Sequence, residues 1–153
     1  MKEINGDLIK MAREGHFDLI IHGANCFCKM RRGIAKQVAE EIPDAVRADN
    51  ETVSGDIGKL GNYTIGLVYD YNNKPNCRIF NCYTQYHWDS NTRPLDYEAL
   101  TLCLRKINFN NKGRTIGVPL VGTGLAGGDW DIIQGIIRKE LKDMDVTIVR
   151  FEK

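Results

Sequence analysis

The chain has no apolar run approaching the length of a bilayer-spanning helix, and no segment with the regions of a secretory leader. A cytoplasmic protein without membrane attachment is expected. Charge of one sign is also lacking. Lys and Arg number 21 against 20 Asp and Glu, for a formal net charge of +1. That excludes an extended non-specific nucleic-acid surface but leaves room for a small basic pocket. The five cysteines, Cys26, Cys28, Cys77, Cys82 and Cys103, are odd in number and fit reduced thiols better than a disulfide framework. Cys26-Phe27-Cys28 lacks the two-residue spacer of zinc knuckles, and no second Cys/His pair completes it, so no metal site is expected. There is no linker, repeat or low-complexity segment. The 153 residues read as one domain, 1–153, and as a monomer.

What is present is organised around Asp18 to Ala35. Leu19-Ile20-Ile21 is a short, partly β-branched apolar run followed by Gly23, the pattern of a buried strand. From Gly33 the apolar positions Ile34, Ala35, Val38, Ala39 and Ile42 take helical spacing, which ends at Pro43. A strand therefore passes through a polar loop into a helix. In open α/β sheets such a turn lies at the carboxyl end of the strand, where unpaired helix N–H groups favour an anion. A phosphate-bearing ligand is the first expectation.

The rest of the chain alternates in the same way. Met1 to Ile4 reads as a strand and Leu8 to Ala12 as a short helix capped by Asp7 and stopped by Gly15. Asp49 to Lys59 has no clear period and reads as an irregular surface segment. Gly61 to Tyr71 and Arg78 to Tyr83 are strands joined by the turn Asn72 to Asn76, forming a hairpin. Thr84 to Arg93 reads as a loop over a ligand, and an amphipathic helix follows Pro94. Thr115 to Val121 is a strand, Gly122 to Gly128 a glycine-rich loop, Trp130 to Leu141 a helix and Asp145 to Phe151 a closing strand. The expected fold is α/β: a three-layer α/β/α sandwich with a mixed, largely parallel central sheet.

The loop after Val121 repeats the strand, loop and helix of the first. Its glycines let successive N–H groups converge on phosphate oxygens, so the two loops suit the two phosphates of a diphosphate. Neither carries a P-loop or dinucleotide-binding fingerprint, which disfavours an NTPase or a dinucleotide-dependent dehydrogenase.

Four stretches, Gly6-Asp7-Leu8, His22-Gly23-Ala24-Asn25, Arg32-Gly33-Ile34-Ala35 and Gly122 to Trp130, together resemble the macro domain family over nearly the whole chain. The match is nearest its small stand-alone branch of ADP-ribose-1″-phosphate phosphatases and ADP-ribosyl-glutamate hydrolases. The resemblance implies an ADP-ribose pocket at the C-terminal edge of the sheet and no cofactor. It implies that Asp7 accepts the adenine amino group beside Leu8, and that Asn25 addresses the distal ribose. Gly33, Ile34 and Ala35 would line the diphosphate from one loop, with Thr123, Gly124 and Leu125 between Gly122 and Ala126 on the other. Arg31 stands where the family commonly has glycine, and beside Arg32 it either adds a charge-assisted phosphate contact or obstructs the loop. Tyr83, Tyr86 and Trp88 form either a lid over the distal ribose or packing for the following helix.

In the phosphatase-like branch, a histidine and an aspartate at the places of His22 and Asp129 look like the catalytic pair. Asp129 would position the attacking water, and His22 would protonate the leaving group or stabilise the phosphoryl group. The same residues also fit a core histidine and a helix N-cap. The nucleophilic lysine and the aspartate of the glutamate-ester hydrolases fall near Gln85 and on Ala126, so that covalent route is disfavoured. A phosphatase acting on ADP-ribose-1″-phosphate is the expected function, against a non-catalytic ADP-ribose module or an ADP-ribosyl-protein hydrolase.

Overall fold

The computed structural model describes residues 1–88, 95–122 and 127–151. Six strands, β1 (Lys2–Gly6), β2 (Leu19–Asn25), β3 (Tyr63–Tyr69), β4 (Pro75–Gln85), β5 (Thr115–Val118) and β6 (Asp145–Phe151), form one sheet in the order β1-β6-β5-β2-β4-β3. All neighbours are parallel except β3 and β4, which form the expected antiparallel hairpin. Five strands therefore end at the same edge. Helices α1 (Leu8–Arg13), α2 (Gly33–Glu41) and α3 (Pro43–Asn50) accompany them, with α4 (Tyr97–Asn110) and α5 (Trp130–Glu140).

Alternation along β2 separates the two cores. Leu19 and Ile21 pack with Leu100, Leu104, Ile133 and Ile137 of α4 and α5, whereas Ile20 joins Leu8, Ile9, Val38 and Ala45 of α1, α2 and α3. Helices thus cover both faces, the arrangement that buries a central parallel strand as an unbroken apolar run. None of the described helices is long and apolar enough to cross a membrane.

Pro43 does end α2, and it also begins α3. Ile42 is the hinge between them, and proline sits in the first turn of α3, where its missing N–H costs no hydrogen bond. Asp44 then ties α3 to the sheet edge. Its Oδ2 accepts the Leu67 N–H at 2.6 Å and its Oδ1 accepts Arg47 at 2.7 Å, contacts that hold its carboxyl below the usual range. Gly66 faces this helix so closely that a Cβ there would stand 2.8 Å from the Ala45 nitrogen.

The expected irregular surface segment from Asp49 to Lys59 is exposed or half-buried from Glu51 to Gly58 and differs only at its ends. Asp49 lies in α3 and is buried, Ile57–Lys59 forms a 3-10 turn, and Lys59 is buried as well. The polar side chains between these two ends did not reveal that Asp49 and Lys59 themselves turn inward.

Candidate functional site

A cavity of about 720 Å³ opens at the carboxyl edge of the parallel strands. Gly6, Asn25, Gln85 and Phe151, which close β1, β2, β4 and β6, all line it, with Pro119 to Gly122 continuing from β5. This is where ligands enter open α/β sheets.

One wall is the start of α2. Arg32, Gly33, Ile34 and Ala35 line the cavity as the resemblance implies. Asp7, Asp96 and Asp129 cap α1, α4 and α5 with side-chain carboxylates, whereas Arg32 at the N-cap of α2 makes no side-chain cap hydrogen bond. The first-turn N–H groups of a nine-residue helix are thus left without a capping carboxylate at the cavity wall. Gly33 has φ 56°, left-handed backbone that favours glycine. Lys29 and Arg31 line the same cavity, and the Lys29 ammonium lies 4.9 Å from the Trp88 ring centroid.

Asn25 reaches the cavity wall, but its amide is largely engaged. Its Oδ1 accepts the N–H groups of Phe27 at 2.9 Å and Lys29 at 3.4 Å, and its Nδ2 donates to the Lys29 carbonyl at 2.7 Å. The side chain folds its own loop, leaving one amide hydrogen for a ligand. Leu8 lines the cavity with Gly6, whereas Asp7, between them in sequence, spends Oδ1 on the Lys10 N–H at 3.2 Å.

The structure does not bring the expected catalytic pair to the cavity. His22 is wholly buried and is not among the lining residues. In β2 it pairs with Asn81 of β4, its Nε2 lies 2.6 Å from Asn81 Oδ1, and Asn81 in turn donates to the Ala45 carbonyl of α3. Burial holds the imidazole pKa below its usual 6.5, against the pull of the Asn81 bond. Asp129 is exposed at the start of α5, where it accepts the Asp131 N–H at 2.9 Å, and it does not line the cavity. Strand alternation sends one into the core, and helix capping occupies the other.

Tyr83 likewise lies behind the wall. Its ring is buried, and its hydroxyl donates to Asp49 Oδ1 at 2.7 Å and lies 3.0 Å from Thr64 Oγ1. Trp88 does line the cavity, stacked on His87 at 3.8 Å with Phe27 edge-on at 5.2 Å. Gly122 lines it too; Thr123, Gly124, Leu125 and Ala126, and the loop positions 89–94, lie outside the described residues.

Among the lining residues that escaped the sequence reading, two are polar and buried. Asp49 is the sole carboxylate among the described lining residues. Thr84 is the extra residue of a β-bulge: Ala24 pairs with Tyr83 and Asn25 with Gln85, and the Thr84 hydroxyl is buried without a partner among the described residues. Bulges re-aim side chains beside functional sites. A Pro43-initiated helix with Ala45, Ala48 and Asp49 inward was the available signal for the first; nothing local marks the second.

No family model matches the sequence. An uncharacterised 17.5 kDa protein from the tk-vs intergenic region of Enterobacteria phage T4 is 35% identical, covering 99% of this chain and 97% of that one. The DNA ADP-ribosyl glycohydrolase of Mycobacterium tuberculosis is 27% identical over 94% of this chain, which spans only 40% of that protein's length. Among solved structures, the macrodomain of Thermus aquaticus DarG superposes with a TM-score of 0.72 at 19% identity, covering 99% of this chain and 97% of that one. The chain belongs to one family with the phage T4 protein and has the macrodomain fold. A macrodomain of Trypanosoma brucei in complex with ADP-ribose shares the fold at a TM-score of 0.66 and 17% identity, covering 98% of this chain and 63% of that one. Against these relatives the present chain keeps the six-stranded mixed sheet and carries its cavity at the carboxyl edge of that sheet.

Proposed function

We propose that the cavity binds ADP-ribose, with the diphosphate across the start of α2 and the guanidinium groups of Arg31 and Arg32 at its rim. The observation that carries this is the uncapped α2 N-terminus opening on a cavity lined by Lys29, Arg31 and Arg32. Backbone N–H groups and the helix dipole favour an anion there. The volume falls within the range of about 300–1,000 Å³ typical of small-molecule sites. The Trypanosoma brucei macrodomain in complex with ADP-ribose supports the same ligand.

A hydrolytic role on an ADP-ribosyl conjugate is the second part of the reading, supported by the Mycobacterium tuberculosis glycohydrolase. The finer reading, removal of the 1″-phosphate from ADP-ribose-1″-phosphate, rested on His22 and Asp129. With neither on the cavity wall, the glycosidic bond is the better candidate for cleavage.

The test is phosphorus NMR of the metal-free protein with ADP-ribose, then with ADP-ribose-1″-phosphate, alongside an assay for ADP-ribose released from ADP-ribosylated DNA. Shifted or broadened diphosphate resonances are expected with ADP-ribose, and free ADP-ribose from the conjugate. Inorganic phosphate from the monoester would restore the phosphatase. Unperturbed diphosphate resonances at millimolar ligand would end the binding proposal.

A further inference from the structure

The cavity presents three cations from the polar loop and α2, and, among the described lining residues, a single carboxylate, Asp49. A buried charge is costly unless something holds it. Only 1% of Asp49 is exposed, and its Oδ1 accepts the Tyr83 hydroxyl at 2.7 Å. Its backbone carbonyl is held as well, by the Thr52 hydroxyl at 2.6 Å and the Cys28 thiol at 3.3 Å. Thr52 Oγ1 takes the buried Lys59 ammonium at 2.7 Å, and that ammonium lies 5.3 Å from the centroid of the Tyr83 ring.

This arrangement fixes the carboxylate from behind and leaves Oδ2 without a hydrogen-bond partner among the described residues. An ionised carboxylate only accepts hydrogen bonds. Its complement is therefore a ligand group with O–H or N–H donors, not a phosphate. Asn25, the residue expected to meet the distal sugar, has one amide hydrogen left for a ligand. Thr84, whose buried hydroxyl has no hydrogen-bond partner among the described residues, lines the same cavity.

We propose that Asp49 determines the cavity's specificity for a hydroxyl-bearing sugar, accepting a hydrogen bond from the distal ribose. Tyr83, Thr52 and Lys59 are positioning residues that act through it. The inference rests on the ADP-ribose reading and adds the residue that separates ADP-ribose from ADP. Phosphate contacts at α2 serve both ligands equally. The Asp49 contact serves only the one with the second sugar.

The experiment is calorimetric titration of the full-length protein with ADP-ribose and with ADP, in wild type, Asp49→Asn and Tyr83→Phe. The amide still accepts the Tyr83 hydroxyl, so the change falls on the ligand side. Wild type is expected to prefer ADP-ribose. Asp49→Asn should lower ADP-ribose affinity about 10- to 100-fold, as loss of a hydrogen bond to a charged group does, with ADP affinity within about twofold. Tyr83→Phe should weaken ADP-ribose binding by a smaller factor and again spare ADP. Equal affinity of wild type for the two ligands overturns the inference, as does an equal loss of both in Asp49→Asn. Where Asp49→Asn fails to fold, Tyr83→Phe decides by the same split between ligands. Wild type that binds neither ligand overturns the ADP-ribose reading itself, a result distinct from every other because it precedes any substitution.

Discussion

Replacing His22 by glutamine should leave ADP-ribose binding intact and change how the fold responds to acid. The ring is wholly buried against Asn81, and burial depresses its pKa. In the unfolded chain it regains the ordinary value of about 6.5. A depressed pKa in the folded state means that the unfolded chain binds the extra proton. The associated stability is therefore fully present above about pH 6.5 and is lost as the pH falls below it. The loss grows as the pH falls below the unfolded value, with a slope of at most about 1.4 kcal/mol per pH unit, the limit for one proton. Glutamine does not titrate, so the variant should lack this component. Urea unfolding followed by tryptophan fluorescence at about pH 7.5 and at about pH 5.5 measures it directly. The stability of wild type relative to the variant should drop between the two, by up to about 1.4 kcal/mol. Identical pH dependence in the two proteins refutes the burial argument, and a large loss of ADP-ribose affinity without a stability change would return His22 to the cavity.

Three further outcomes are expected. Asp129→Ala removes the carboxylate that accepts the Asp131 N–H, and should cost about 1 kcal/mol in thermal unfolding while ADP-ribose titrations stay unchanged. Gly66→Ala forces a Cβ against the backbone of Ala45 and Asp44, so a loss of about 1–3 kcal/mol in chemical denaturation is expected; wild-type stability would mean that α3 shifts freely. Arg31→Gln should weaken ADP-ribose binding a few-fold at low salt, a difference that fades at about 0.5 M salt, and tighter binding would identify Arg31 as an obstruction.

The sheet was legible because its strands are short apolar runs separated by strong turn signals, and β2 leads into α2 as the periodicity from Gly33 requires. The cavity wall at the start of α2 was legible for the same reason: a helix start at the end of a buried strand is a local feature. What could not be read was long-range. Asp49 is held in the interior by Tyr83, thirty-four positions away, on its carboxylate and by Thr52, itself bonded by Lys59, on its backbone carbonyl. Composition cannot distinguish such mutually paired polar residues from a solvated loop. His22, open between a catalytic place and a core place in the sequence, could not be assigned there for a related reason. A histidine after an apolar run is the same letter in the core as at the surface, and only its register opposite Asn81 settles its place.

Because β1 and β6 run parallel, with Lys2 opposite Thr147 and Gly6 opposite Phe151, the chain starts at the far edge of the sheet and β6 ends on the cavity side. Phe151, the last residue of β6, lines that cavity, so bulk attached close after this strand, such as a purification tag or a fluorescent fusion, would compete with ligand for space. The same addition before Met1 leaves from the opposite edge. Immobilisation for surface-based binding measurements, and any engineered sensor built on this scaffold, should therefore use the amino terminus.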